Sequence, residues 1–342
     1  MSSPARFSAI LKQVQDDHAL DAEASAAAFA FIMSGQVPEA DIAAFLTALA
    51  KRSPTVDEIT GAATAMRNAM TSISAPPGAI DVCGTGGDGH GTFNVSTAAA
   101  FVVAACGVPV AKHGNRSISS PTGAADVLEQ LGVRTDLPRA AAEKMLRETN
   151  FCFLFAPAYH PAMKHVAAVR RALGFRTIFN LLGPIANPAR VRRQLIGVYA
   201  REMIVPIANV LKALGTDAAW VVHGDDGLDE LTTTTSSHVA SLSDGRISEF
   251  NVEPDDIGAR RATLADLRGG DASDNAAVIV ALLGGAHGAF RDIVLLNSGA
   301  ALVVAGKAES LRAGAALATN AIDAGAAEEA LARVVAASKM AA

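Results

Sequence analysis

A glycine-rich run between two apolar stretches limits what this chain can fold into more than any other feature. It reads DVCGTGGDGHGTFNVST over residues 81–97, with five glycines in eight positions, and the apolar AAAFVVAACG follows. Glycine costs conformational entropy and is kept where the backbone bends sharply or approaches a ligand closely. The order of strand, glycine loop and helix therefore predicts an anion site made of amide groups at a helix start. A flexible surface loop is the alternative.

The run matches neither of two familiar phosphate-binding loops. No Lys-Ser or Lys-Thr pair closes it as in a P-loop, and its glycine spacing differs from G-x-G-x-x-G. It also contains Asp88, and a carboxylate suits a phosphate site only when a cation is present. Asn94, Ser96 and Thr97 are candidate caps for the helix that follows.

The composition of the chain changes near residue 75 and predicts two domains. Residues 1–72 show helical patterns only, and Thr55 and Glu58 form a capping box within them. Strands and helices then alternate, which is typical of a mostly parallel sheet with helices on both faces. We therefore predict an α/β protein. A small all-helical N-terminal domain, 1–72, is completed by part of 160–190, and a large α/β domain spans 73–342.

The bounds of the expected elements follow from the apolar runs. The predicted strands are 79–83, 108–111, 152–156, 195–199, 219–223 and 293–296. The predicted helices between them include 96–106, 123–131, 138–149 and 203–214. Residues 227–275 are expected to form hairpins and loops, and the C-terminal part is expected to be helical and alanine-rich.

Composition argues against several classes of protein. A net charge of −5 and only 5% aromatic residues are unlike a nucleic-acid binder, which shows a basic face with stacking rings. No apolar run is long and uninterrupted enough to span a membrane, and the start MSSPARFSAILKQ lacks a signal-peptide pattern. The three cysteines lie far apart in apolar runs, which predicts buried reduced thiols in a cytoplasmic protein.

Three further stretches could carry chemistry. KHGNRSISSPTGAADVLEQLG (112–132) brings positive charge and hydroxyls to a strand end, where α/β proteins bind ligands. HGDDGLDELTTT (223–234) holds four carboxylates in six positions, and Mg²⁺ uses such oxygens beside phosphates. In 155–189, Arg170 and Arg171 follow two histidines and a lysine, and an arginine facing a cleft could bind a carboxylate through two hydrogen bonds. The respective alternatives are a solvated polar loop, a solvated acidic turn and a surface ion pair.

These stretches together suit a phosphorylated sugar that carries a pyrophosphate group. The amide loop and its hydroxyls would take the phosphates. Adjacent Asp229 and Glu230 would hold Mg²⁺, which neutralises a departing pyrophosphate.

Six motifs in order make the chain resemble the anthranilate phosphoribosyltransferase family. They are GTGGD at 84–88, TFNVST at 92–97, KHGNRS at 112–117, HPAMKHV at 160–166, RTIFNLLGPIANPA at 176–189 and HGDDGLDELTT at 223–233. The resemblance covers nearly the whole chain and implies the nucleoside phosphorylase/phosphoribosyltransferase fold. It also implies transfer of the phosphoribosyl group of 5-phosphoribosyl 1-pyrophosphate to the amine of anthranilate, in tryptophan biosynthesis. The resemblance further implies that the protein uses Mg²⁺ and forms a homodimer joined through the helical domain, as the family usually does.

The same resemblance implies roles for individual residues. Contacts to 5-phosphoribosyl 1-pyrophosphate would come from Gly84, Gly87, Asp88, Thr92, Asn94, Val95, Ser96, Thr97, Lys112, His113, Gly114, Asn115, Arg116, Ser117, Ile118, Ser119 and Ser120. Anthranilate would contact Gly84, Asn115, Arg170 and Gly183, with Arg170 on its carboxylate. The ligands of Mg²⁺ would be Ser96, Asp229 and Glu230. No residue is expected to act as an acid or base, and Lys112 and Arg170 would position the substrates.

The chain departs from the family pattern at two positions. It reads SSPTGAAD where the family often has an SSKSGSAD-like run, so Pro121 replaces a lysine and Ala124 a serine. We expect a modest loss of substrate contacts, compensated by Thr122 or by backbone amides. Two rival functions are a pyrimidine nucleoside phosphorylase, whose KHSxGGVGDK-type loop is absent, and a nucleic-acid-binding relative, which should be basic.

Overall fold

The N-terminal part of the structure is helical, and small residues let its helices pack closely. The computed structural model describes residues 3–116 and 122–340 of the chain. Its first helices are α1 Ser3–Gln15, α2 Ala22–Met33, α3 Glu39–Arg52 and α4 Val56–Ala69. Helix α4 begins with the predicted capping box, in which Thr55 and Glu58 each accept the other's backbone N–H. Gly61 of α4 packs on α2, where a Cβ would lie 2.4 Å from the Ala22 carbonyl oxygen.

The rest of the chain first alternates between strands and helices and then ends in helices. In chain order the elements are β1 Ile80–Gly84, α5 Val95–Ala105, β2 Val110–Gly114, α6 Ala124–Gln130, α7 Arg139–Thr149, β3 Phe151–Phe155, α8 Ala156–Tyr159, α9 Lys164–Leu173, α10 Phe179–Ile185, β4 Arg193–Gly197, α11 Ile204–Ala213, β5 Ala218–Gly224, β6 Ser237–Ser243, β7 Arg246–Val252, α12 Ala272–Leu283, α13 Ala289–Val304, α14 Leu311–Asp323 and α15 Ala326–Met340. Five of the six predicted strands match β1 to β5 within two residues at their starts and three at their ends.

Within the described residues the strands form one seven-stranded sheet, in the order β3-β2-β1-β4-β5-β6-β7. Strands β1 to β5 are parallel, and the antiparallel hairpin of β6 and β7 extends one edge. The chain builds the sheet outward on one side of β1 and then on the other, so the order reverses between β1 and β4. Open α/β sheets bind ligands at such a reversal, beyond the carboxyl ends of the strands.

Helices cover both faces of the sheet, so alternate residues of the central strands enter different cores. Leu195 and Trp220 pack in the core that contains α5 and α13, whereas Ile196 and Val221 pack in the core that contains α11. The second core continues into helices α1 to α4. Burial on both faces explains why the central strands read as unbroken apolar runs.

Helices α9 and α10 connect the sheet to the N-terminal helices. Helix α9 packs on α3 and α2, and α10 packs on α4. Phe179 of α10 meets Phe29 of α2 edge to face, with ring centroids 5.5 Å apart. The division of the chain at residues 72 and 73 stays a prediction.

The predicted strand at 293–296 is wrong, because these residues lie inside α13. Ile293, Val294, Leu295 and Leu296 are all buried. Helix α13 packs against both α5 and α14, so its sequence lacks the polar face that reveals a helical period. A short apolar run of this kind reads equally well as a buried strand.

The three cysteines are free thiols, with Cys83 and Cys152 buried and Cys106 partly exposed. None of the described helices combines the length and the apolar character that a membrane crossing needs.

Candidate active site

The glycine loop connects β1 to α5 at the point where the strand order reverses. Gly86, Gly87, Gly89 and Gly91 all have positive φ, between 61° and 82°. Residues with a Cβ rarely adopt this region, so the loop needs glycine to follow its path. The loop leads into the first turn of α5, where the helix dipole favours an anion.

Asp229 and Glu230 lie against this loop. Asp229 Oδ2 accepts from the Gly86 N–H at 2.6 Å, and Glu230 Oε1 accepts from the Ser96 N–H at 3.2 Å. Asp229 approaches β1 so closely that a Cβ on Gly84 would lie 2.3 Å from its Oδ2. Glycine at position 84 is therefore required for close approach rather than for a special backbone angle.

The acidic pair has the chemistry of a cation site. Burial, assisted by Asp88, raises the pKa of Asp229 to about 7, and burial, assisted by Asp229, raises the pKa of Glu230 to about 8. Crowded carboxylates of this kind gain from a divalent cation, since each opposes the ionisation of the other. Ser96 supplies a hydroxyl beside Glu230. These residues fit Mg²⁺, which uses one or two carboxylates and completes its shell with phosphate oxygens and water.

The other two carboxylates of the acidic stretch serve its own fold. Asp225 Oδ1 lies 2.6 Å from Nε2 of His238 on β6. Asp226 Oδ2 accepts from the hydroxyls of Thr232 and Thr234. Of the four carboxylates, Asp229 and Glu230 are thus the two that lie against the glycine loop.

Lys112 lies beneath the loop and is 1% exposed. Its Nζ donates to the Val82 carbonyl oxygen at 2.6 Å and to Ser96 Oγ at 3.1 Å. Burial lowers the pKa of Lys112, and the charge of Asp81 opposes that shift. Asp81 is itself buried on β1, where burial raises its pKa to about 6 and Asn187 donates to it at 2.7 Å.

Two neutral histidines form part of the wall. His113 Nδ1 lies 2.9 Å from the Gly183 carbonyl oxygen, so this nitrogen carries the proton. The His160 ring packs on it, with centroids 5.0 Å apart. Burial, with His160 nearby, lowers the pKa of His113 to about 3, and burial lowers the pKa of His160 to about 4. Within the described residues, neither Nε2 has a hydrogen-bond partner.

Arg170 presents a charged planar donor to the same space. It lies on α9 with its guanidinium carbon 5.5 Å from the centre of the Phe179 ring. Burial lowers its pKa, and no carboxylate in the described part of the chain offsets this. Arg116 differs, because it donates to Asp126 at 2.7 Å and to Glu129 at 2.5 Å. Its charge is therefore already paired.

One cavity of about 740 Å³ brings the predicted site residues together. Its lining contains Gly84, Gly87, Asp88, Thr92, Asn94, Val95, Ser96, Thr97, Lys112, His113, Gly114, Asn115, Arg116, Arg170, Gly183, Asp229 and Glu230. Ser117, Ile118, Ser119 and Ser120 lie outside the described residues. Every predicted site residue that the structure describes thus borders the same space.

Sequence reasoning assigned no role to several other residues of the wall. Ala156, Pro157 and His160 follow β3, and the predicted strand at 152–156 was a signal for them, because parallel strands end at one edge. Met66 reaches the cavity from α4. Nothing in its apolar helical pattern distinguishes it from an ordinary core residue.

The chain is similar to known proteins over nearly its whole length. Residues 8–70 match the helical bundle domain of a glycosyl transferase family, and residues 76–328 match the a/b domain of that family. The anthranilate phosphoribosyltransferase of Parvibaculum lavamentivorans is 55% identical over 331 residues, which are 97% of each chain. That of Azorhizobium caulinodans is 53% identical over 323 residues, 94% of each chain.

Solved structures show the same likeness. Anthranilate phosphoribosyltransferase from Thermus thermophilus has 40% sequence identity and a TM-score of 0.92, covering 96% of this chain and 99% of that one. The Saccharomyces cerevisiae enzyme, solved in complex with 5-phosphoribosyl 1-pyrophosphate (PRPP) and Mg, has 27% identity and a TM-score of 0.90, covering 98% of each chain. By sequence and by fold, this chain belongs to the anthranilate phosphoribosyltransferases of the glycosyl transferase family.

Proposed function

We propose that the protein transfers the phosphoribosyl group of 5-phosphoribosyl 1-pyrophosphate (PRPP) to the amine of anthranilate. The products are N-(5-phosphoribosyl)anthranilate and pyrophosphate. One observation carries this proposal: a glycine loop at a helix start, an acidic pair and an arginine on a separate helix border one cavity. These groups suit phosphates, a divalent cation and a carboxylate, respectively.

The phosphates of PRPP bind at the glycine loop and at the start of α5. Backbone N–H groups of the loop and the hydroxyls of Thr92, Ser96 and Thr97 donate to phosphate oxygens. Lys112 supports this arrangement, because its Nζ donates both to the Val82 carbonyl oxygen in β1 and to the Ser96 hydroxyl. Asp229, Glu230 and Ser96 hold Mg²⁺, which when bound neutralises charge on the departing pyrophosphate.

Anthranilate binds in the same cavity, beside Arg170. Arg170 takes its carboxylate through two hydrogen bonds, and Asn115 and Gly183 lie beside the ring. Neutral His113 and His160 add no positive charge that would compete with Arg170 for the carboxylate. The bond from His113 to the Gly183 carbonyl oxygen keeps this part of the cavity wall fixed.

The residues position the two substrates and stabilise charge. The aromatic amine is uncharged at neutral pH, so its lone pair attacks the anomeric carbon without a protein base. A carbon–nitrogen bond forms as the carbon–oxygen bond to pyrophosphate breaks, with inversion at that carbon. The nitrogen then loses one proton to the departing pyrophosphate or to water. The rate enhancement comes from holding both partners in line and from fixed charges around the leaving group.

The fluorescence of anthranilate gives a direct test. With PRPP and Mg²⁺ the fluorescence should disappear, and EDTA should prevent this. A double variant, Asp229→Ala and Glu230→Ala, should lose roughly 100-fold or more in turnover, because it lacks the groups that stabilise the leaving charge. The matched control is Glu328→Ala with Glu329→Ala, an exposed adjacent pair on α15. Phosphorolysis of a pyrimidine nucleoside without anthranilate turnover would instead favour the rival enzyme.

From the family resemblance alone we also propose that two copies associate through the helical domain, in the cytoplasm. Light scattering should report twice the mass of the chain. A monomer at micromolar concentration would contradict the association.

A further inference from the structure

A short segment, residues 267–275, supports the glycine loop from outside the cavity and consists of an irregular stretch and the start of α12. The Gly269 N–H donates to the Gly91 carbonyl oxygen at 2.9 Å, and the Phe93 N–H donates to the Leu267 carbonyl oxygen at 3.0 Å. Thr92 and Arg268 pair between these bonds as an antiparallel bridge. The segment therefore acts as a partial second strand for the end of the glycine loop.

Asn275 ends this segment on the first turns of α12 and is 1% exposed. Its Oδ1 accepts from the Gly270 N–H at 2.9 Å. Its Nδ2 donates to Asn94 Oδ1 at 2.8 Å and to Thr122 Oγ1 at 2.9 Å. One buried amide thus joins the end of the glycine loop to the chain that enters α6.

The bond to Asn275 determines which end of the Asn94 amide is free. Asn94 precedes α5 directly, yet its side chain does not cap that helix. Its carbonyl oxygen accepts from Asn275 at 2.8 Å and from the Thr122 hydroxyl at 3.4 Å, so its NH₂ group is the end left for a ligand in the cavity that Asn94 borders. An NH₂ group donates to phosphate oxygens, whereas a carbonyl oxygen would repel them.

We propose that Asn275 is a positioning residue for PRPP, which acts by orienting Asn94 and by tying it to Thr122. This inference rests on the proposed function for the identity of the ligand. It also assigns a role to Thr122, which stands beside the family departure at Pro121.

Two substitutions distinguish orientation from simple support. Asn275→Ala removes the stronger of the two donors to Asn94 Oδ1 and leaves only the 3.4 Å bond from the Thr122 hydroxyl. Asn275→Asp keeps the shape and the bond from Gly270, but its carboxylate accepts and cannot donate. Asn94 must then turn its NH₂ group toward residue 275 and its carbonyl oxygen toward the phosphates. We therefore expect PRPP affinity to fall about tenfold in Asn275→Ala, the worth of one such hydrogen bond, and further in Asn275→Asp.

The measurement is calorimetric titration with PRPP and Mg²⁺ in the absence of anthranilate, together with KM for both substrates. The KM for PRPP should rise in both variants, and the KM for anthranilate should change less than about twofold, within the scatter expected for a site not touched. Ser273→Ala, an exposed change on the same turn, should bind PRPP like the wild type. Asp323→Asn removes the charge that pairs with buried Arg291 far along the chain, and it should lower the melting temperature without changing PRPP affinity.

Several results would overturn the proposal. One is unchanged PRPP affinity in both Asn275 variants, and another is tighter PRPP binding by Asn275→Asp than by Asn275→Ala. A third is an equal loss of PRPP affinity in Asp323→Asn, which would show that affinity simply follows the melting temperature. If Asn275→Ala does not fold, Thr122→Val serves instead, because it removes the second hydrogen-bond partner of Asn275. This variant should weaken only the binding of PRPP. Wild-type protein that binds PRPP but leaves anthranilate unused would contradict the proposed function, while the titrations would still decide the role of Asn275.

Discussion

The absence of one side chain sets the position of the acidic pair. A Cβ on Gly84 would lie 2.3 Å from Asp229 Oδ2, and β1 cannot move away because it is paired on both sides. Gly84→Ala must therefore displace the carboxylate. We expect kcat/KM for PRPP to fall by roughly 100-fold, the cost of a ~1 Å misplacement in an active site. Steady-state kinetics at several Mg²⁺ concentrations would measure the loss.

The control for this change is Gly284→Ala at the end of α12. There a Cβ meets its nearest atom at 3.4 Å, an ordinary contact. Activity should stay near that of the wild type. Wild-type kinetics in Gly84→Ala itself would mean that the position of Asp229 does not matter.

Arg170 and Arg171 are adjacent in sequence but differ in surroundings. Arg170 borders the cavity over Phe179, whereas Arg171 is exposed. Arg170→Ala should raise KM for anthranilate by roughly 10- to 100-fold, as expected for loss of a charge-assisted hydrogen bond, and leave KM for PRPP unchanged. Arg171→Ala should change neither constant. An unaltered KM for anthranilate in Arg170→Ala would show that the anthranilate carboxylate does not bind Arg170.

At the scale of elements, the start of α4 depends on one buried ion pair. Glu58 is 0% exposed, and it accepts from the Leu20 N–H at 3.0 Å and from Arg52 at 2.5 Å. Glu58→Ala leaves the arginine and two N–H groups without this partner. We expect the free energy of unfolding to fall by about 3–5 kcal/mol, measured by urea denaturation.

The comparison for this pair is Asp16→Asn, which breaks the exposed pair of Lys12 and Asp16. Exposed pairs contribute little to stability, so the urea midpoint of this variant should stay close to that of the wild type. Equal effects in the two variants would show that burial of Glu58 adds nothing to stability.

Elements were predictable wherever a local rule decides the conformation. The capping box at Thr55 identified the start of α4, and the alternation of apolar runs and turns identified β1 to β5. Helix α13 was missed, because burial on both sides removes the pattern that distinguishes a helix from a strand. Local sequence therefore fails where an element lies deep in the core.

At the scale of the whole molecule, the site could be predicted in part because topology gathers strand ends. Gly84 and His113 lie at the carboxyl ends of β1 and β2, and Asp229 follows β5, so these residues share one edge of the sheet despite their distance in sequence. Contacts without a motif could not be found in this way. Asp81 bonds Asn187 across more than a hundred residues, and Asn275 reaches Asn94 across an even longer separation. Such pairs follow from packing of whole layers, and no local pattern marks them.

The stability of the whole molecule should depend on pH through the two buried histidines. The folded state holds the pKa of His113 at about 3 and that of His160 at about 4, whereas an unfolded histidine titrates near 6.5. Below about pH 6.5 the unfolded state therefore gains protons that the folded state does not, and stability falls as pH falls. Between pH 7 and pH 5 the two groups together should remove about 4 kcal/mol of the free energy of unfolding.

Other buried groups act in the opposite direction, so a difference measurement is needed. Burial raises the pKa values of Asp81, Asp229 and Glu230, and protonation of these folded carboxyls favours the folded state as pH falls. Those groups are common to the wild type and to a double variant, His113→Asn with His160→Gln. Urea denaturation at pH 7, 6 and 5 should give the variant a smaller loss of stability on acidification, because its amides do not titrate. Equal losses of stability with pH in the two proteins would mean that the histidines become charged in the folded state. The proposal that they form an uncharged part of the cavity wall would then be wrong.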